Sequence, residues 1–232
     1  METDYERRLR EMVEQVEACG SIRTHANDRG QLATHLKHAE DALEIVRAVE
    51  DRPLPPALTR NFHRHLHRLF AWRAREPFQA LAGEFSLVHI GEALIQESEE
   101  GSASAEATEM ERLVHEFRIF HTHPIGGTGT YTALRLTENQ ESPELWYYDI
   151  RQDPTRLHLG YGDYLDVMLR IKGLYDWQYL FVEPDPNNYG MCVSLSYLHD
   201  GLDFLSREFP DDDLSDLRAR LEERMRVVDK GK

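Results

Sequence analysis

The chain has 232 residues, 41% of them hydrophobic, and sets 42 Asp and Glu against 27 Lys and Arg for a formal net charge of -15. That length is enough to core one domain, while the charge argues against a general binder of phosphate backbones or anionic membranes and for a basic protein partner. The opening METDYERRLREM is charged where a signal peptide needs an apolar run, nothing approaches the roughly 20 apolar residues of a membrane span, and Cys19 and Cys192 make no disulfide framework, so a cytoplasmic location is expected.

Asp4 to Ala18 puts Tyr5, Leu9, Met12, Val13 and Val16 on one helical stripe, ended by Cys19-Gly20. After the polar Asn27-Asp28-Arg29-Gly30, the positions of Leu32, Leu36, Ala39, Leu43 and Val46 predict a second helix that stops before Pro53. Arg52-Pro53-Leu54-Pro55-Pro56 then reads as an extended connector. Leu58, Phe62, Leu66, Leu69 and Phe70 behind it have the spacing of a third helix. Residues 83–88 read as a strand and 91–96 as a short helix. From Glu97 to Glu111 the chain is mostly Ser, Ala and Glu, the composition of a solvated or mobile excursion. Phe117 to Thr122 and Tyr131 to Leu136 are strand candidates around the turn Gly126-Gly127-Thr128-Gly129.

Glu144 to Ile150, dense in aromatics, predicts a further strand, closed by Gln152-Asp153-Pro154 as a turn. The period then changes, because Tyr161, Tyr164, Leu165, Val167, Met168 and Ile171 recur at helical spacing and Gly173 sits where a left-handed C-terminal glycine belongs. Past the break at Pro184-Asp185-Pro186, Leu195, Leu198, Leu202 and Leu205 mark one helix and Leu214, Leu217, Leu221 and Met225 a last one, with Asp213 or Ser215 as its N-cap. Helices at both ends around a run of strands make an α+β domain, with a central antiparallel or mixed sheet flanked by helices. Tyr147 or Tyr148, Leu165, Met168 and Leu180 are expected to share its core.

Few residues announce chemistry. His121 and His123 stand at strand spacing and point the same way, as two ligands of one zinc ion do, and His121-Thr122-His123-Pro124 is similar to the opening of the JAMM-type metal isopeptidase motif. The positions where that motif carries its Ser and its Asp ligand are here Tyr131 and Leu134, so a metal-dependent hydrolase is the second reading of this chain and not the first. On a helix, His63 and His67 would share a face, but Arg64 occupies the place of the Glu in an HExxH site. The glycines at 126–129 lack the Lys-Ser/Thr pair of a phosphate loop. Cys192 has no neighbouring base and reads as an inert thiol.

The phrases R-P-L-P-P at 52–56, G-E-F-S-L at 83–87, and the strand W-Y-Y-D, turn, G-Y-x-x-Y-L and K-G-x-x-x-W-Q-Y-L-F from Trp146 to Phe181 resemble the SUKH superfamily, which joins bacterial toxin-immunity proteins to the fungal cell-wall-assembly regulators. The resemblance covers residues 21–210, and divides the chain into an N-terminal helix (1–20), that domain (21–210), and a C-terminal helix packed on it (211–232). It implies a non-catalytic protein-binding domain without cofactors: an immunity protein that neutralises a cognate, basic polymorphic toxin or, alternatively, a regulatory scaffold without a toxin. Acidic docking for such a partner is expected at Glu97, Glu99 and Glu100 or at Asp211, Asp212 and Asp213, both taken as exposed runs.

Overall fold

A computed structural model describes residues 2–33, 38–50, 54–95, 107–127, 129–137 and 142–230. Among them the order is α1 (Asp4–Ala18), β1 (Ile22–Asp28), α2 (Ala39–Glu50), β2 (His67–Ala74), β3 (Ala82–Val88), α3 (Ile90–Ile95), α4 (Glu109–His115), β4 (Phe117–Thr122), β5 (Thr130–Arg135), β6 (Glu144–Asp149), β7 (Gln152–Leu157), α5 (Tyr161–Arg170), α6 (Tyr189–Glu208) and α7 (Ser215–Lys230). The strands form one antiparallel sheet whose spatial order, β1 to β7, is the order of the chain. The protein is therefore α+β, with helices at both ends.

Local chemistry sets the helices. Thr3 and Glu6 close a capping box on α1, and the predicted stripe from Tyr5 to Val16 is its buried face. Asn188 caps α6 by accepting the Met191 N–H, and the Asp213 carboxylate accepts the Ser215 N–H at the start of α7. Leu214, Leu217 and Leu221 join the same core as Tyr147, Leu165, Met168 and Leu180.

The segment after Pro55 differs from its expected form. Only Pro56–Thr59 winds, as one 3-10 turn, and Leu69 and Phe70 lie in β2. His63 and His67 are thus not on a helix face. Leu32 does not begin α2: it makes an isolated bridge to His65, and Leu36 lies outside the described residues. Residues 22–28, with no clear apolar period, form the edge strand β1. Gln152-Asp153-Pro154 is not a turn either. The turn falls at Ile150-Arg151, and Pro154 is inside β7, an edge strand, where a missing N–H leaves no ladder bond unmade. Most of the Glu97 to Glu111 excursion lies outside the described residues, and Glu109 to Glu111 open α4, where Glu111 closes a capping box with Thr108.

The sheet divides between β3 and β4. They pair only through Ser86↔Thr122 and Leu87↔His121. Beyond that point β3 pairs instead with the chain leaving α5: Glu84 N–H bonds Gly173 O, and Tyr175 N–H bonds Ala82 O. Gly173 has φ +66, as expected of the helix-ending glycine, and Lys172 and Asp176 share the left-handed region at φ 55 and 63. Gly83 permits this clip. Any Cβ there would lie 2.4 Å from Trp72 Nε1, which donates to Lys172 O.

Candidate functional site

In a meander, alternate turns fall at the same end of the sheet. The β2–β3, β4–β5 and β6–β7 turns meet there, and a cavity of about 380 Å³ opens among them, lined by Arg73, His123, Asp149, Arg151, Asp176 and Tyr197 with their neighbours. The clip at 173–175 and the N-terminal half of α6 wall it in, since Tyr175, Asp176 and Tyr197 line it too.

The buried carboxylates here are consumed by the fold. Glu84 is fully buried, and its carboxylate accepts the Ile125 and Gly126 N–H groups at 2.6 and 2.8 Å and the Tyr175 hydroxyl at 2.5 Å. One side chain of β3 thereby shapes the β4–β5 turn and fixes the clip. Asp149, equally buried, accepts from the Arg151 backbone N–H, the Arg151 guanidinium and the Tyr179 hydroxyl. Burial opposes its ionisation, but these donors outweigh it and hold its pKa below the ordinary value. Asp176 differs. Its one short bond is from Ser194 Oγ, at 2.5 Å, and the Arg151 guanidinium stands 3.4 and 3.5 Å from its oxygens. A carboxylate offers about four acceptor positions, and with one short bond and two long contacts Asp176, which lines the cavity, keeps about one of them unengaged.

The two histidines of the H-x-H phrase are brought together. A bulge between Ile119 and His121 turns Phe120 and His121 both against Tyr164 of α5, and the His121 and His123 rings stand edge to face with centroids 4.5 Å apart. His121 Nδ1 is 2.5 Å from the Tyr164 hydroxyl, which also meets Thr132 Oγ1 and Gln178 Nε2. Thr130 Oγ1 donates its proton to Gly127 O and so accepts from His123 Nδ1–H at 2.8 Å, which leaves a lone pair on His123 Nε2. Neither Nε2 has a hydrogen-bond partner. Burial lowers both pKa values; His123 falls to about 4, though the nearby Glu84 charge opposes the fall. Both rings are neutral at pH 7. Among the described residues, no group of three or more His, Cys, Asp or Glu is placed to hold a metal ion, so the pair lacks the third ligand that a zinc site needs.

Of the acidic runs, Glu97, Glu99 and Glu100 lie outside the described residues. Asp211 and Asp212 border a second cavity of about 470 Å³, beside Cys19, Glu208 and Phe209, and Asp211 and Asp213 are exposed. Asp212 pairs with the buried Lys172 ammonium, and Asp213 caps α7 while its carbonyl accepts from Arg170. The run is exposed at Asp211 and Asp213, as expected, while Asp212 is half-buried and engaged within the fold. Cys19 and Cys192 are unpaired, and burial raises the Cys19 pKa, which keeps the thiol protonated. The residues that sequence reasoning passed over are Glu84, Asp149, Arg151 and Asp176. Only Asp149-Ile150-Arg151 carried a local signal, an Asp whose side chain accepts the backbone N–H of the second residue on, as in an Asx turn. No family model, no curated protein and no solved structure matches this chain.

Proposed function

We propose that this chain is a non-catalytic protein-binding domain of the immunity type, which neutralises a basic toxin by covering it. The resemblance to SUKH proteins suggests the role, and one observation carries it: among the described residues many cations are paired with carboxylates, and the surplus charge of the chain is acidic. Arg8 and Arg60 are bound by Asp166, Arg64 by Glu6, Arg151 by Asp149 and Arg218 by Asp203. Against a net charge of -15, exposed carboxylates such as Glu40, Asp41 and Glu44 on α2 or Asp185 and Asp200 around α6 remain. A surface of this sign steers a basic protein into encounter and repels nucleic acid.

Growth of cells expressing the C-terminal domain of a secreted toxin encoded beside this chain tests the reading. Co-expression of the chain should restore growth, and the purified pair should elute as one complex. Neither effect, or a rescue abolished by His121→Phe and His123→Phe while binding is kept, would overturn it, the latter in favour of a hydrolase.

A further inference from the structure

Ile150 lines the turn-end cavity, and the segments that border it carry further apolar side chains that the fold does not cover. Ile125 is 52% exposed, Ile150 70%, Tyr189 82% and Val193 46%. They belong together. Ile125 and Gly126 are held in place by Glu84, and Ile150 lines the cavity and packs beside Gly129. Asn188, which starts α6, bonds Gln152 next to the Ile150-Arg151 turn. On α6, Tyr189, Val193 and Tyr197 are spaced four apart and so share a face, whose last member is anchored to Ala82 and lines the cavity. Isolated exposed apolar residues need no explanation, but a group of them beside one cavity marks a surface for a protein contact.

The hollow supplies the chemistry of the partner. Glu84 and Asp149 have their acceptor positions filled from within, whereas Asp176 has one short bond, two long contacts to Arg151 and a place in the cavity wall, so it is the carboxylate of the three that can still accept. It is also, among the described residues, one of three non-glycine residues with positive φ, a conformation that Asp and Asn tolerate better than most, and its carboxylate stands between Ser194 and Arg151. Arg151 is saturated on the side of Asp149, and Arg73 spends one donor on Gln79 O, so both present spare N–H groups suited to backbone carbonyls. Arg73 and Arg151 balance Asp149 and Asp176 in the cavity wall, and Glu84, bonded to Gly126 and Tyr175 of that wall, adds one negative charge within a chain of net charge -15.

We infer that the turn end of the sheet is the docking surface for a basic protein, and that it receives an arginine or lysine side chain on Asp176 while Ile125, Ile150, Tyr189 and Val193 close around the apolar residues flanking it. The inference rests on the protein-binding reading above and adds its location and its anchor. A buried, charge-assisted contact surrounded by an apolar ring that keeps water out is the arrangement from which most binding energy comes.

Two acetylated, amidated tripeptides, Leu-Arg-Leu and Leu-Glu-Leu, titrated into the methyl-labelled full chain serve as the probes. The arginine peptide should shift the methyl signals of Ile125, Ile150 and Val193 and saturate at about millimolar concentration, the range of a contact this small. Asp176→Asn, which keeps the left-handed backbone accessible, should weaken it by about tenfold, the scale of one charge-assisted hydrogen bond. Ile150→Ser should weaken it without touching the carboxylate, and Asp200→Asn, on the far turn of α6, should leave it unchanged. Equal shifts with both peptides, shifts confined to another face, or full affinity in Asp176→Asn would overturn the inference. The growth rescue is independent of these methyl shifts, so the surface and the function can fail separately.

Discussion

Lys172 Nζ and Asp212 Oδ2 stand 2.5 Å apart, with Gln15 Oε1 as the second acceptor for an ammonium that is 2% exposed. The Phe209 ring lies over the same ammonium at 4.7 Å. This pair joins α1, the clip and the α6–α7 turn, so Asp212 is not free to greet a partner. Asp212→Lys should destabilise the chain by about 3 kcal/mol, the scale for stranding one member of a buried pair, and Asp211→Lys by almost nothing. Urea midpoints of the two variants check this; equal midpoints would show the pair to be idle.

Glu97, Glu99 and Glu100, outside the described residues, are the other steering candidates. If the proposed toxin partner is captured, changing all three to Lys should slow association with it and flatten its dependence on salt, with dissociation little altered. Stopped-flow association at low and moderate ionic strength reads it, and wild-type rates across both would remove this run from the encounter.

Acid should unsettle the protein well before its carboxylates titrate. Burial, aided by His89 and His65, lowers the His63 pKa to about 3, and burial lowers that of His123 to about 4. Between those values and the ordinary 6.5 the unfolded chain binds protons that the folded chain refuses, so stability falls as pH drops through this window. Each ring should remove about 2 kcal/mol by pH 5. A second loss follows lower down. Burial disfavours the Glu6 charge, but Arg64 and the backbone N–H groups of Thr3 and Arg64 outweigh it and hold the pKa at about 2, so its stabilisation is present above 4.5 and lost from there toward 2. Urea melts from pH 7 to 4.5 should show the first loss intact in Glu6→Gln and reduced in His63→Phe.

Gly83→Ala should cost about 2–3 kcal/mol, because the new methyl meets both Trp72 Nε1 and the Gly173 carbonyl, 2.9 Å away, and neither yields without breaking the clip. Gly20→Ala is the control, since nothing lies within 4 Å of its Cβ. Thermal unfolding of the two, side by side, decides.

Zinc should be held weakly. His121 and His123 offer two imidazoles and no third ligand among the described residues, so dialysed protein should retain far less than one equivalent and lose no stability to a chelator. One equivalent that survives dialysis and disappears in His123→Ala would restore the hydrolase reading.

Legibility followed the range of the interactions. α1 and α5 to α7 were readable because an amphipathic stripe and a cap are local facts. β2 misled for a physical reason: Phe62, Leu66 and Phe70 do fall four apart, while the strand's buried face carries the polar Arg68 and its more open face the apolar Leu69 and Ala71, so the burial alternates but the sequence does not. The site was nearly invisible. Glu84 finds its partners 41, 42 and 91 residues away, and no spacing rule reaches that far. His121 and His123 were singled out, yet the bulge and the Tyr164 contact that bury them depend on α5, which comes later in the chain.

The clip at 173–175 also bears on how the chain acquires its shape. Most strand pairings here join neighbours in sequence, so β2–β3 and β4–β5–β6–β7 can zip quickly as separate ribbons held by short loops. Little ties the ribbons to each other until α5 has formed and swung Gly173 to Tyr175 against β3, a closure over some 90 residues that bears a larger loop entropy than any hairpin. Until then the facing edges of β3 and β4 stay unpaired and open to other chains. Substitutions at Gly83 or Gly173 should therefore slow refolding and raise aggregation during it, more than their effect on the finished protein would suggest.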